Sequence, residues 1–228
     1  VLAGWWCGAV AAAPVQSWTT AQGARVYFIE THTLPIIDVQ VLFLAGAAFD
    51  PDDKPGLASL TASLMDQGAG TRNEQQVAEA LADIGATLSV GAGLDSATLS
   101  LRTLSDPDRR QVAFNLMADV MARPQFDRVI FKRDQARSVA ALKEALTKPQ
   151  VLAQRACMSN LYAGHPYGRL VTPASVESLA HSDIRDFWRS HFTPGRASVA
   201  LVGDLTRAEA EALANQLLAD LPPDQAGV

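Results

Sequence analysis

The order of strand and helix patterns along the chain restricts the fold more than any other feature of this sequence. Two runs rich in β-branched and aromatic residues come first, and apolar residues at helical spacing follow. A hairpin pattern, a block of helices, one more strand and a closing helix come after them. Doubly wound folds alternate strands and helices regularly, and this order does not. We therefore expect an α+β domain in which helices pack on a mixed, mainly antiparallel sheet.

The predicted elements carry local signals at their ends. Apolar and polar residues alternate over 36–44, which indicates a strand in a sheet with one buried face. Thr71 with Glu74 forms a capping-box pattern before the second helix, and Asp106-Pro107 is typical of a helix start. The predicted strands cover residues 25–29, 36–44, 87–90, 97–104 and 197–202, and the predicted helices 56–67, 71–85, 106–121, 126–146, 151–162, 182–191 and 206–221.

The first thirteen residues form a segment of different character. Residues 2–13 are an apolar run that is too short to span a bilayer but has the length of the apolar region of a signal peptide. The run ends in small residues, as signal-peptidase sites do. We expect residues 1–13 to be the remainder of a signal peptide, so that the mature chain is exported to a bacterial periplasm. An apolar segment that docks on the folded body is the alternative.

The rest of the chain is consistent with one domain and the start of a linker. Residues 18–221 hold all the periodic patterns, whereas 222–228 are short, polar and rich in proline. We therefore expect an interdomain linker to begin at 222. With the signal peptide removed, no run is long enough to predict a membrane span.

Charge and cysteine content exclude several classes of function. The formal net charge is −5, and such an acidic surface repels nucleic-acid backbones, so we expect no nucleic-acid partner. The two cysteines, Cys7 and Cys157, lie in no Cys-x-x-Cys or Cys/His array. The sequence thus predicts neither a disulfide framework nor a thiolate zinc site.

Three short segments together resemble the M16 peptidase family. They are 54–58 (KPGLA) leading into a helix, 165–168 (HPYG) after a helix, and 201–205 (LVGDL) ending a strand. Their order and spacing are similar to those of the pitrilysin-like inverzincins, the mitochondrial processing peptidase and the respiratory core proteins, over about 18–221. The resemblance implies a LuxS-like metallohydrolase-type α+β domain that is half of a longer subunit. In that family two halves or subunits close around a peptide.

The residues that bind zinc in such peptidases are replaced in this sequence. An inverzincin places H-x-x-E-H on a helix, so that two histidines hold Zn²⁺ and the glutamate acts as general base. The matching helix has Ser59 and Ser63 at the histidine positions and Ala62 at the glutamate position. The family's remaining glutamate ligand falls on Ala140, with Ala141 beside it. We therefore expect no cofactor in this chain, and zinc in a partner subunit.

Other residue clusters give weaker signals. No second histidine or cysteine lies three or four residues from any of the four histidines, so a relocated zinc site has little support. We expect His32 to be exposed in a loop, His165 to cap or pack beside Tyr167, His181 to lie in a loop before a Ser182 cap, and His191 to favour a helix C-terminus as an imidazolium. A serine nucleophile is not indicated, because no G-x-S-x-G elbow surrounds Ser59 and Ser63. A basic run has helical spacing, typical of a solvated face, with a partner contact as the alternative; it comprises Arg128, Lys132, Arg133 and Arg137.

These observations support one principal hypothesis and two alternatives. The first is a noncatalytic M16-like subunit, its N-terminal half, which forms a heterodimer with a zinc-bearing M16 subunit or pairs with a second M16-like domain and helps to hold peptide. The second is an assembly protein similar to the respiratory core proteins, with no protease partner. The third, with less support, is a zinc metallopeptidase whose ligands have migrated.

The resemblance also implies where a peptide would bind. In the related peptidases an extended substrate adds as a strand to an exposed sheet edge, and main-chain hydrogen bonds supply the affinity. The strand over 36–44 and the hairpin tip are the candidate edges. The residues expected to contact peptide or partner are Ile36, Val39, Val41, Gly91 and Gly93.

Overall fold

The computed structural model describes residues 14–224 as an α+β domain. The predicted signal segment 1–13 and residues 225–228 of the predicted linker lie outside the described residues. The strands are β1 (Gln16–Thr19), β2 (Arg25–Glu30), β3 (Ile36–Phe43), β4 (Gly68–Ala69), β5 (Arg72–Asn73), β6 (Thr87–Ala92), β7 (Ala97–Leu104) and β8 (Ala197–Gly203). The α-helices are α1 (Leu57–Met65), α2 (Glu74–Ile84), α3 (Pro107–Ala122), α4 (Arg128–Ala145), α5 (Pro149–Leu161), α6 (Pro173–Ser178), α7 (His181–His191) and α8 (Arg207–Leu218).

Six strands form one sheet in the order β1-β2-β8-β3-β7-β6. Only the β2 and β8 pair runs parallel in this sheet, and the other neighbours are antiparallel. The predicted mixed, mainly antiparallel sheet is therefore confirmed. β4 and β5 form a separate two-stranded ribbon between α1 and α2.

The prediction that the strand over 36–44 offers an edge is wrong. β3 pairs with β8 on one side and with β7 on the other, so its main-chain groups are already used within the sheet. Val39 and Val41 are almost fully buried on the face that the helices cover. A strand with apolar residues at every second position packs best at the centre of a sheet, where both neighbours shield it.

The helices cover one face of the sheet and leave the other open. Side chains such as Phe28, Phe43 and Leu99 point into the helical layer and are fully buried. On the opposite face, Tyr27 and Val202 are more than a third exposed. The alternation read in the sequence over 36–44 therefore reports the true inward and outward directions of the side chains.

Several predicted boundaries shift because of short local structure. The ribbon of β4 and β5 uses Arg72, so α2 starts later than predicted, and Asn73 with Gln76 forms the capping box instead of Thr71 with Glu74. Pro149, expected only to stop the preceding helix, is the first residue of α5.

Four short strands and helices were not predicted at all. β4 and β5 have two residues each, β1 has four and α6 has six, and none is long enough to show a clear hydrophobic period. Within residues 14–224, no helix has the length and apolarity that crossing a membrane requires.

Candidate functional site

The helix on which the sequence resemblance places the H-x-x-E-H segment is α1, and hydrogen bonds hold its start in place. The buried carboxylate of Asp50 accepts hydrogen bonds from the Gly56 amide at 2.8 Å and from the Ala58 amide at 2.7 Å. Gly56 has φ of +103°, and a side chain there would approach Val171 to 3.0 Å. Burial raises the pKa of Asp50 above its usual value, while the amide hydrogen bonds oppose this shift. These contacts fix the direction in which α1 leaves the loop.

The two serines at the histidine positions lie on the exposed side of α1. Ser59 and Ser63 are one helical turn apart and both exposed, whereas Ala62 is fully buried. The Ser63 hydroxyl donates to the Leu60 carbonyl at 3.0 Å, so its proton is already engaged within the helix. The spacing of a metal-binding pair is therefore kept, although the ligands are not.

The helix that should supply the third ligand is α4, which packs against α1. Its Gln135 side chain donates to the carbonyls of Val176 at 2.8 Å and Leu179 at 2.9 Å, and this ties α4 to α6. Ala140 is exposed and lines a shallow depression between α4 and α6, together with Glu177. The carboxylate of the family pattern is thus absent from this position.

The residues at these positions do not fit a zinc ion. Alanine at 62 and 140 has no donor atom, and the hydroxyls of Ser59 and Ser63 stay protonated near neutral pH, which makes them poor zinc ligands. Within residues 14–224, no group of three or more His, Cys, Asp or Glu side chains is arranged to hold a metal ion. No chemical step at this site can therefore be assigned to zinc in this chain.

The exposed sheet edge next to α1 is β6. β6 pairs only with β7 among the described strands, and it contacts α1 on the covered face. Gly91 lies within this edge strand and is exposed, as a peptide-binding edge requires. The hairpin around Gly91 is therefore an edge, as the sequence predicted.

The tip of the β6-β7 hairpin is fixed to its surroundings. The Ala47 amide donates to the Gly93 carbonyl at 2.9 Å, and the Tyr167 hydroxyl contacts the Asp95 carboxylate. Gly46 allows this approach, because a Cβ there would lie 2.4 Å from the backbone of residue 95. Gly93 thus has its carbonyl engaged within the chain, whereas β6 itself remains open.

Three of the five expected peptide contacts are excluded as edge contacts by their place in the sheet. Ile36, Val39 and Val41 belong to the central strand β3. The sequence signal for a strand is equally clear in β3 and in β6 and carries no information on which strand lies outermost. A peptide that adds to the sheet beside α1 would therefore contact β6.

Two histidines behave largely as expected. His165 Nδ1 accepts a hydrogen bond from the Tyr167 amide at 3.2 Å, which confirms a capping role beside that tyrosine. His32 is exposed, as predicted, but its ring also joins two carboxylates: Nδ1 lies 2.6 Å from Asp204 and Nε2 lies 3.0 Å from Glu30. These hydrogen bonds raise the pKa of His32. No pattern in the sequence indicates this bridge.

The prediction for His181 is wrong, and the prediction for His191 is correct in position but not in charge. His181 is the first residue of α7, since Ala180, not Ser182, occupies the cap position. His191 ends α7 as predicted, but its ring stacks on Phe187 with 4.2 Å between ring centres, and burial lowers its pKa. The neutral imidazole is favoured there, because desolvation outweighs the attraction of the helix C-terminus for a cation.

Comparison with known proteins places the chain beside M16 peptidases and their inactive homologues. The family model described as insulinase (peptidase family M16) matches residues 25–174, and the model described as peptidase M16 inactive domain matches residues 178–227. The probable mitochondrial-processing peptidase subunit beta of Arabidopsis thaliana is 22% identical over 90% of this chain and 39% of its own length. The non-peptidase homolog YmxG of Helicobacter pylori is 22% identical over 88% of this chain and 46% of its own length.

Solved structures give the same relationship at the level of the fold. The peptidase M16 inactive domain from Pseudomonas fluorescens superimposes with a TM-score of 0.90 and 33% identity, covering 94% of this chain and 52% of that one. The periplasmic protease PqqL from Escherichia coli has a TM-score of 0.80 and 16% identity, covering 95% of this chain and 25% of that one. The chain thus spans about half or less of the length of these relatives.

Proposed function

Because the chain belongs to the M16 peptidase family, we propose that it acts as the N-terminal half of a noncatalytic M16 subunit. It would pair with a zinc-bearing M16 subunit, or with a second M16-like domain, and form part of a chamber that holds peptides. The catalytic zinc and general base would then belong to the partner, and this chain would contribute binding surface.

One observation carries this proposal: the four positions that the sequence resemblance assigns to the catalytic site hold only serine and alanine, in a chain whose fold matches M16 domains. Asp50 anchors the start of α1, and Gln135 anchors α4 to α6. Ser59 and Ser63 face outward one turn apart. A framework kept without its ligands fits a role in binding and assembly better than a role in hydrolysis.

Several relatives support a noncatalytic role for this chain. A peptidase M16 inactive domain and a non-peptidase homolog are among the proteins that this chain resembles. Matching proteins about twice as long favour a second M16-like domain beside this one. The similarity to a periplasmic protease supports an exported protein.

Peptide binding is assigned in this proposal to the β6 edge. An added strand gains affinity from main-chain hydrogen bonds, which do not depend on a metal. The edge lies beside α1, so a peptide on it would pass the serines at 59 and 63.

The proposal is tested by reconstitution with an M16 subunit that carries an intact H-x-x-E-H. Size-exclusion chromatography with light scattering should show a stable complex of the two chains. Cleavage of a fluorogenic peptide library should be much faster for the mixture than for the partner alone. A partner variant without its catalytic glutamate is the matched control and should bind but not cleave.

Other outcomes would decide against this function. A stable complex in which this chain leaves cleavage unchanged would favour an assembly role without proteolysis. Chelator-sensitive peptidase activity of this chain alone would favour a metallopeptidase with ligands elsewhere.

A further inference from the structure

A depression lined only by hydrogen-bond donors and cations lies where the starts of α4 and α7 meet. Its volume is about 580 Å³, and its lining residues are Arg128, His181, Ser182 and Arg185. Arg128 is the first residue of α4, and the other three lie in the first turns of α7. No carboxylate of residues 14–224 lines this depression.

Two of these side chains are held in place by backbone carbonyls. His181 Nε2 lies 2.5 Å from the Phe126 carbonyl oxygen, and because a carbonyl only accepts, this nitrogen carries the proton. The same ring forms a T-shaped contact with Phe131, with 5.5 Å between the ring centres. Arg185 donates from Nη2 to the Gln125 carbonyl at 3.1 Å. The segment before α4 therefore positions residues of α7.

Two of the three acidic residues closest in sequence to these arginines have other partners, and the third, Asp186, lines a different pocket beside Lys54. Asp127 accepts from the amides of Val129 and Ile130, at 2.7 and 3.1 Å, as the cap of α4. Asp183 pairs with Lys54 at 2.6 Å and so cannot neutralise the arginines across the depression.

Arg128 differs from the arginines further along α4 in having no carboxylate partner among the residues that the structure describes. Arg133 pairs with Glu74 and Asp134, and Arg137 lies 3.6 Å from Asp134. Within the described part of the chain, Arg128 and Arg185 have no carboxylate within ion-pair distance. The predicted solvated face of α4 therefore has two parts. Arg133 and Arg137 pair with carboxylates of this chain, whereas Arg128 faces α7.

We propose that this depression binds a phosphate group. Two guanidinium groups without a counter-ion match the charge of about −1.5 to −2 that a phosphate group carries at pH 7, whereas a carboxylate would leave one positive charge uncompensated. Each guanidinium offers parallel N–H donors to two oxygens, and Ser182 adds a hydroxyl donor. The overall charge of −5 does not oppose this, since charges farther than about 8 Å are largely screened at physiological salt.

The test is a titration of the full chain with inorganic phosphate at constant ionic strength, in which ¹⁵N NMR monitors the chemical shifts. Saturable shifts should be confined to the amides of 126–130 and 180–186 and to the side chains of the two arginines. The variants Arg128→Gln and Arg185→Gln should each weaken binding by about tenfold or more, because each removes a charge-assisted pair. Both side chains are exposed, so the variants should keep the fold.

Arg189→Gln is the matched control, because Arg189 lies one turn further along α7 and does not line the depression. It should bind phosphate as the parent chain does. A second titration with glycerol 3-phosphate shows which kind of phosphate compound the depression binds. Tighter binding of glycerol 3-phosphate than of inorganic phosphate identifies a phosphate monoester as the ligand, and weaker binding identifies the free ion. Shifts without saturation, equal loss in the Arg189 variant, or acetate binding as tight as phosphate would each overturn the proposal.

Discussion

His32 Nδ1 lies 2.6 Å from Asp204 Oδ1, and this contact joins the ends of β2 and β8, the two parallel strands of the sheet. Asp204 also accepts from the Ser105 hydroxyl at 2.6 Å, and the second ring nitrogen of His32 contacts Glu30. The cluster therefore links three chain segments that leave the same end of the sheet.

This bridge predicts a pH-dependent part of the folding stability. Its hydrogen bonds raise the pKa of His32, so this contribution is complete below the unfolded value near 6.5 and disappears as pH rises through the folded pKa. The pKa of Asp204 is lowered, chiefly by His32, so its contribution is lost as pH falls below about 3.8. The difference in unfolding free energy between the parent chain and His32→Gln should thus be largest at about pH 5 to 6. Urea denaturation measures it.

Two controls accompany that measurement. The difference should shrink in high salt, because the groups are exposed and screened. It should also nearly vanish once the pH exceeds the raised pKa of His32, where the imidazole is neutral. A difference that stays constant as the pH passes that pKa would show that His32 acts through packing and not through its charge.

A second prediction concerns the anchor of α1. Asp50→Ala should lower the unfolding free energy by about 1–3 kcal/mol, because it leaves the amides of Gly56 and Ala58 without their acceptor in a buried place. Asp53→Ala, an exposed change in the same loop, is the matched control and should alter stability by less than about 0.5 kcal/mol. Denaturant titration compares the two. Equal losses of unfolding free energy in the two variants would mean that the composition of the loop, and not the hydrogen bonds of Asp50, determines the stability.

A third prediction concerns metal binding on α1. The parent chain, purified without a tag and dialysed, should contain no stoichiometric zinc. Ser59→His with Ser63→His should bind Zn²⁺, because the two exposed positions lie one turn apart on a helix. Adding Ala140→Glu should strengthen binding if α4 presents this position to α1. Calorimetry measures each affinity, and Ser63→His alone is the control.

Restoring a glutamate at the general-base position should reduce the folding stability. Ala62 is fully buried, so Ala62→Glu should reduce stability by about 2 kcal/mol or more unless a bound metal compensates. A folded double-histidine variant with no zinc affinity at all would contradict our placement of the lost site.

The periodic signals gave the fold class and most helices and strands, because hydrophobic spacing is a local property. The place of β3 at the centre of the sheet was not predictable in this way, since strand order depends on which distant segments pair. The link between His32 and Asp204 joins residues 172 positions apart, and nothing in the neighbourhood of either residue signals it. The cap at Asn73 was missed because the ribbon of β4 and β5 overrides the local pattern at Thr71. The assignment of the replaced site positions, by contrast, depends on residue identity within a motif, and it stays a prediction that the metal-binding variants test.

The last prediction identifies β6 as the strand that a peptide or partner covers. β3 is already hydrogen-bonded on both sides, so its amides should be protected from hydrogen exchange in the isolated chain and change little on binding. Among the amides of β6, those that point away from β7 lack a strand partner in residues 14–224 and should exchange quickly until an added strand protects them. Exchange measured with and without a zinc-bearing M16 subunit inactivated at its general base, in the presence of peptide, should therefore show new protection in β6. A peptide N-methylated at alternate amides is the matched control, because it keeps the side chains but loses main-chain donors, and it should give no protection. New protection confined to the outer part of α4, or to β1 at the opposite edge, would refute the assignment.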